Sequence, residues 1–178
     1  MGRVPEAAGR VGALVRPSCA GDRAAVEHAL RCCAAFNAEE VAVALELFDE
    51  GASNSGAYTL FTADDAGQVA GYVCLGRAPL TESTWYLYWV CVHPHWQGRG
   101  IGRALQHHAE AFISARGGRR LVLETSARPD YHRARAFYER LGYRHAGRIA
   151  DFYRLGDDCL IYVKDIAQPV ARPEVRRA

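Results

Sequence analysis

The sequence predicts a single α/β domain, a mixed sheet of about seven strands flanked by about four helices. Three observations carry the prediction. Runs of period-two apolar spacing and stretches with apolar residues at i, i+3, i+4 and i+7 follow one another in the order β α α β β β α β α β β. Short polar turns join neighbouring strands at one end, which favours antiparallel pairs there, whereas the middle holds a strand–helix–strand crossover. The 178 residues fit the usual size of one domain, and no internal repeat is visible. The domain is expected over residues 11–166, with tails at 1–10 and 167–178.

Each element has a local reason. Residues 12–16 read as a short strand, after which Ser18 can cap a helix that runs to about residue 33 with Ala25, Val26, Ala29 and Leu30 on one stripe. Asn37 can cap a second helix, in which Val41, Ala44, Leu45 and Phe48 share a face. Glu39 and Glu40 suit its positive first turn, and Gly51 should end it. A small polar loop is expected at 52–56. Residues 58–63 and 68–76 are β-rich and flank Asp64-Asp65-Ala66-Gly67, so they form a hairpin. A third run spans 85–92. A helix over about 100–116, the Gly117-Gly118 break, an apolar strand at 121–124 and a helix over about 132–141 stopped by Gly142 come next. Residues 143–149 and 159–164 supply the last strands.

Composition narrows the function classes. Hydrophobic residues make up 49% and charged residues 24%, as in ordinary globular proteins. A net charge of +2 gives no basis for sequence-independent nucleic-acid binding, and the basic stretch at 172–177 reads as a solvated terminus. No run approaches the length of a membrane span, and residues 1–10 lack the apolar centre of a secretory signal, so the expected setting is the cytoplasm. The six cysteines form no CxxC pair, and the seven histidines show no HExxH, so buried or reduced thiols and no metal are expected.

The most informative stretch runs from Val90-Cys91-Val92 through His93-Pro94-His95-Trp96 into Gln97-Gly98-Arg99-Gly100-Ile101-Gly102-Arg103. A strand leads here through a glycine-rich turn into a helix. Glycines free the backbone for torsions closed to other residues and let several N–H groups converge on phosphate oxygens. The helix start adds unpaired N–H groups and the positive end of the dipole, and Arg99 or Arg103 can add charge. A pyrophosphate suits this arrangement; a glycine-rich helix start without a ligand is the alternative. The G-x-x-x-x-G-K-[ST] loop of nucleoside triphosphatases is absent, and the dinucleotide fingerprint fits poorly from either Gly98 or Gly100.

Gln97, Gly100 and Gly102 match the Q/R-x-x-G-x-G/A signature of the GNAT superfamily of acetyltransferases. Ala134, Phe137, Tyr138, Leu141, Gly142 and Tyr143 resemble its second block, A-x-x-F-Y-x-x-x-G-F. The element order is similar to that fold from residue 12 to 164. The resemblance implies a GNAT-like sheet, acetyl-CoA as co-substrate, an amine as acceptor and a possible homodimer. It also implies that the strand ending Val90, Cys91, Val92 splays from the strand after the glycine helix, with the pantetheine arm between them. Gln97, Gly98, Arg99, Gly100, Ile101, Gly102, Arg103 and Phe137 would complete the cofactor site.

Acetyl transfer to an amine needs a base, a polarised carbonyl and a proton for the departing thiolate. Tyr138 matches the family tyrosine that protonates the thiolate; its reference pKa of ~10 lies above that of a cysteine-like thiol at ~8.5, so donation is reasonable. A packed helix aromatic is the alternative. Glu124 ends an apolar strand, where a carboxylate is unexpected unless exposed, paired or used. It resembles the strand-end base of ribosomal-protein N-terminal alanine acetyltransferases; a surface ion pair is the alternative. The backbone N–H of Cys91 or Val92 would polarise the carbonyl. Cys91 also suggests an acetyl-cysteine route, although direct attack needs no nucleophilic residue. Two departures stand out: Tyr86 and Tyr88 occupy the region where many relatives place a carboxylate, and Tyr131 replaces the usual Asn before the second block. The acceptor is expected between loop 35–39 and hairpin 150–158, where Glu39, Glu40, Asp151, Asp157 and Asp158 can attract a cation or serve caps and turns. A domain that binds acyl-CoA without turnover is the rival function.

Overall fold

The computed structural model describes residues 13–53 and 56–167. The tails at 1–10 and 168–178, Gly12, the basic stretch at 172–177 and part of the loop at 52–56 lie outside the described residues. The chain forms β1 (Leu14–Pro17), α1 (Arg23–Cys32), α2 (Ala38–Ala52), β2 (Thr59–Asp65), β3 (Gln68–Arg77), β4 (Thr84–Val92), α3 (Ile101–Ser114), β5 (Arg120–Ser126), α4 (His132–Arg140), β6 (Arg144–Arg154) and β7 (Asp157–Asp165). The expected element order therefore holds. The strands make one seven-stranded sheet in the order β1-β2-β3-β4-β5-β7-β6. Every pairing is antiparallel except that of β4 with β5.

Helix stripes decide the layers. Ile101, Leu105, Ala109 and Ile113 of α3 recur at helical spacing and bury against Val73, Leu75, Leu87, Leu121 and Leu123 on one sheet face. Tyr138 and Leu141, in and just after α4, pack on the same side. Val26, Ala29 and Leu30 of α1 and Val41, Ala44, Leu45 and Phe48 of α2 cover the opposite face through Leu60, Tyr72 and Cys74. Burying Phe48 completely is worth about 2–3 kcal/mol of apolar transfer.

Asn37 and Glu40 form a reciprocal cap on α2: Asn37 Oδ1 accepts the Glu40 N–H at 2.9 Å and Glu40 Oε2 accepts the Asn37 N–H at 2.7 Å. The cap expected from Ser18 does not form. Its hydroxyl instead bonds Thr62 Oγ1 at 2.7 Å, and a 3₁₀ turn at Ala20–Asp22 precedes α1. Asp22, at the helix start, is committed elsewhere: its carboxylate takes two 2.8 Å bonds from Arg16. Helix α2 also runs past Gly51 to Ala52, because a glycine there admits Leu60, whose atoms would lie 2.9 Å from an added Cβ. The β2–β3 hairpin turns on Ala66 and Gly67, both at positive φ, and its ladder reaches Asp65 opposite Gln68. Strand β5 extends two residues beyond the expected 124, and β6 extends to Arg154 across irregular register.

Candidate active site

The site begins with a gap in the sheet. Strands β4 and β5 pair only through Thr84↔Arg120, Trp85↔Leu121 and Tyr86↔Val122. Beyond those pairs β4 continues along β3 to Val92 opposite Gly71, while β5 continues along β7 to Ser126 opposite Cys159. The facing edges of residues 87–92 and 123–126 therefore diverge, leaving backbone groups for something other than a strand.

A bulge opens the gap. Leu75 pairs with Leu87 and Cys74 with Trp89, so Tyr88 has no partner across the β3–β4 ladder. The extra residue reverses the alternation of β4. Trp85 and Leu87 join the α3 side before it, whereas Val90 and Val92 do so after it, leaving Trp89 and Cys91 on the α1–α2 side. Gly71 allows the close approach at the strand end, since an added Cβ would lie 2.5 Å from the Cys91 carbonyl oxygen.

The glycine turn sits at the mouth of this gap. Gly98 and Gly100 adopt φ of 75° and 87°, with open space where a Cβ would point. Gly100 caps α3, and the first bond of the helix runs from the Ala104 N–H to the Gly100 carbonyl at 3.0 Å. The N–H groups of Ile101, Gly102 and Arg103 thus precede the helical ladder. Gln97 Nε2 donates to the Val92 carbonyl at 3.0 Å and ties the turn to the end of β4. Gly102 lets Phe137 approach, its Cζ lying 3.1 Å from an added Cβ, so α3 and α4 meet there. Arg99 and Arg103 are exposed, and neither forms an ion pair among the described residues. Ile101 is different: its side chain is core, leaving only its backbone to face a ligand.

Tyr138 packs against Phe137, Tyr143 and Tyr162 on the α3–α4 side, and burial raises its pKa above the ordinary value of 10. No hydrogen bond occupies its hydroxyl among the described residues. Glu124 lies on the other side of the sheet, because Leu121 and Leu123 of the same strand point into the α3 core. It is exposed and, among the described residues, has no ion-pair partner, which removes the surface ion pair as an explanation. Burial raises the pKa of Tyr88, Tyr153 and Cys159, and the Glu124 charge adds to each.

Cys91 is 3% exposed and points toward α1. Its sulfur lies 3.2 Å from that of Cys33, and this hydrogen bond together with burial holds the Cys91 thiol well above its ordinary pKa. It is a poor nucleophile.

The face expected to take the acceptor is built from aromatics and committed carboxylates. Phe36 meets Trp89 edge-on at 5.4 Å, and Tyr58 and Tyr88 cross at 5.2 Å. Asp151 accepts the Gly156 N–H at 2.6 Å, Asp157 holds Ser126 and Arg154, and Asp158 holds Arg148 and the Asp151 N–H. Those three acids and Glu40 are structural, as turn and cap roles suggested. Glu39 and Glu124 are exposed carboxylates without such bonds among the described residues. Tyr131, standing where an Asn was expected, places its hydroxyl 2.9 Å from the Ala35 carbonyl and 3.0 Å from Glu40 Oε1, fastening the α1–α2 loop to the start of α4.

The model of the acetyltransferase (GNAT) family matches residues 23–143, more than half of the chain and all of this site from β4 to α4. The chain belongs to the GNAT acetyltransferase family. The N-alpha-acetyltransferase RimI of Mycobacterium tuberculosis is 36% identical over 101 residues, 56% of this chain; the match spans 60% of that relative's length. A GNAT-family acetyltransferase of Desulfovibrio desulfuricans superposes with a TM-score of 0.83 at 37% identity, over 88% of this chain and 100% of that one. The Escherichia coli ribosomal-protein-S18-alanine N-acetyltransferase superposes at 0.70 with 25% identity, over 90% and 97%.

In this GNAT chain the structure places Val90 to Val92 along the gap, residues 97–103 at its mouth, Phe137 and Tyr138 on the α3–α4 side of the sheet and Glu124 on the opposite side. Sequence reasoning missed Tyr88 as the bulge, because a run of large aromatics carries no local sign of which one is unpaired, and Tyr131 as the loop anchor, because its partners lie more than 90 residues away. It also missed His28 and Cys32, whose i, i+4 spacing on α1 was legible. Their ligand atoms and those of His93 lie within 4.8 Å of one another.

Proposed function

We propose that the protein transfers an acetyl group from acetyl-CoA directly to a primary amine within a ternary complex. The observation that carries this reading is the β4–β5 gap with Tyr138 on one face and Glu124 on the other. A thioester lying in the gap would be open to a proton donor from the α3–α4 side and to an amine from the α1–α2 side. The pyrophosphate would rest on the N–H groups at the start of α3, with Arg99 and Arg103 beside it. Backbone groups of Val90, Cys91 and Val92 would hold the pantetheine arm and polarise the carbonyl. Glu124, directly or through water, would take a proton from the ammonium. The neutral nitrogen would then attack the carbonyl carbon, the C–S bond would break as Tyr138 protonated the departing thiolate, and the second proton of the nitrogen would leave to solvent as the amide formed, with Tyr138 regaining its proton from solvent. The high pKa of Cys91 supports direct transfer over an acetyl-cysteine intermediate.

Among amines we favour the N-terminus of a peptide or protein. The names of the Mycobacterium tuberculosis and Escherichia coli relatives describe action on α-amines, and a peptide α-amine, with a pKa of about 8, is far easier to deprotonate near neutrality than a lysine at about 10.4. Six free thiols support a reducing, cytoplasmic setting. Free-thiol release from acetyl-CoA tests the reading against a panel of Ala-, Ser- and Met-initiated peptides, lysine peptides, polyamines and aminoglycosides. Turnover is expected on N-terminal peptides and should survive in Cys91→Ala. Acetyl-CoA binding without turnover on any amine would favour a non-catalytic acyl-CoA sensor.

A further inference from the structure

Away from the gap, α1 and the end of β4 assemble three metal-binding donors that acetyl transfer does not use. His28 and Cys32 stand one turn apart on α1 and so share a helix face. His93 follows the last residue of β4, and its ring stacks on His28 with centroids 5.2 Å apart and planes at 25°. Ligand atoms of all three lie within 4.8 Å of one another, and His28 Nε2 is 3.7 Å from Cys32 Sγ. A tetrahedral zinc ion, with bonds of about 2.0 Å to imidazole and about 2.3 Å to thiolate, spaces an N and an S donor about 3.5 Å apart. The His28–Cys32 edge is therefore close to its coordinated length. The remaining distance would be closed by rotamer changes, for which the exposed His28 and Cys32 and the partly exposed His93 have room.

We propose that His28, Cys32 and His93 form a zinc site, with a water molecule in the fourth position. Two imidazoles and one thiolate are a borderline-to-soft set that suits zinc and not the hard cations magnesium or calcium. Binding replaces the Cys32 thiol proton, which leaves to solvent, by a Zn–S bond. His93 offers either ring nitrogen; use of Nδ1 exchanges its 3.2 Å bond from the His95 N–H for the metal. The ion would clip the last turn of α1 to the junction between β4 and the glycine turn.

The test is titration of the chelator-treated full chain with Co²⁺ as a spectroscopic stand-in. One equivalent should produce a thiolate-to-cobalt charge-transfer band with tetrahedral visible bands, and Zn²⁺ should abolish both. Cys32→Ser should remove the charge-transfer band, and His28→Gln and His93→Gln should each weaken Co²⁺ binding about tenfold or more. Cys19→Ser and Cys33→Ser should leave the spectrum intact. Metal-free melting curves would establish that each variant is folded, and the exposure of His28 makes His28→Gln the safest of them. A missing thiolate band, or a band that persists in Cys32→Ser or vanishes only in Cys33→Ser, would overturn the proposal.

Discussion

Tyr138 keeps its phenol proton because burial makes the phenolate costly, and the direction of that shift suits the proton donor proposed for it. With a pKa above the ordinary 10, the side chain stays protonated through neutral and mildly alkaline pH. Its acid role should therefore produce no loss of rate below about pH 10. Glu124→Gln should lower the rate of transfer and leave acetyl-CoA affinity in place, as rates measured across acetyl-CoA concentration would show. Asp22 is shifted the other way. The Arg16 hydrogen bonds hold its carboxyl below 3.8, so its contribution to stability is complete above that value and disappears as the pH falls through the folded pKa. Melting temperatures of the parent and Asp22→Asn should differ at neutral pH and converge on acidification below about 4.

Strand β4 and helix α3 act as units, and their glycines are the points where side chains would intrude. Gly100→Ala would force a left-handed torsion on a residue with a Cβ, at a cost of about 1–2 kcal/mol, and would tilt the N–H groups that face the pyrophosphate. Gly102→Val would press on Phe137 and separate α3 from α4. Both should raise the KM for acetyl-CoA more than they lower kcat, measured by steady-state thiol release. The glycine turn was legible because its glycines answer a local need. The Asn37–Glu40 cap was legible for the same reason, whereas the second motif was legible only through its resemblance to the family pattern. The β4 bulge was not: Trp85, Tyr86, Tyr88 and Trp89 all suit a strand, and only the register with β3 decides which one is left unpaired. The Ser18 cap failed because Thr62, 44 residues away, offered its hydroxyl a better partner. Strand β6 was read short because Asp151 takes a positive φ and the register with β7 breaks between Ile149 and Arg154, which no periodicity announces.

At the scale of the molecule, the sheet is two halves, β1 to β4 and β5 to β6, joined at one end by three paired positions of β4 and β5. A pantetheine arm in the gap would act as the missing strand edge and couple the halves. Acetyl-CoA at 100 times its Kd should add about 2.7 kcal/mol of stability, or roughly 5–10 °C in melting temperature for a chain of this size. NAD and ATP should give no comparable shift. Tyr138 and Glu124 lie on opposite faces of the gap, and their proposed division into acid and base is the central claim. The most direct test is the single-turnover rate of acetyl transfer to the best peptide, at saturating acetyl-CoA, in the parent, Tyr138→Phe and Glu124→Gln. Losses of about 10²–10⁴-fold in each variant, with the acetyl-CoA thermal shift preserved, are the predicted result. A Tyr138→Phe or Glu124→Gln rate equal to that of the parent would contradict the account.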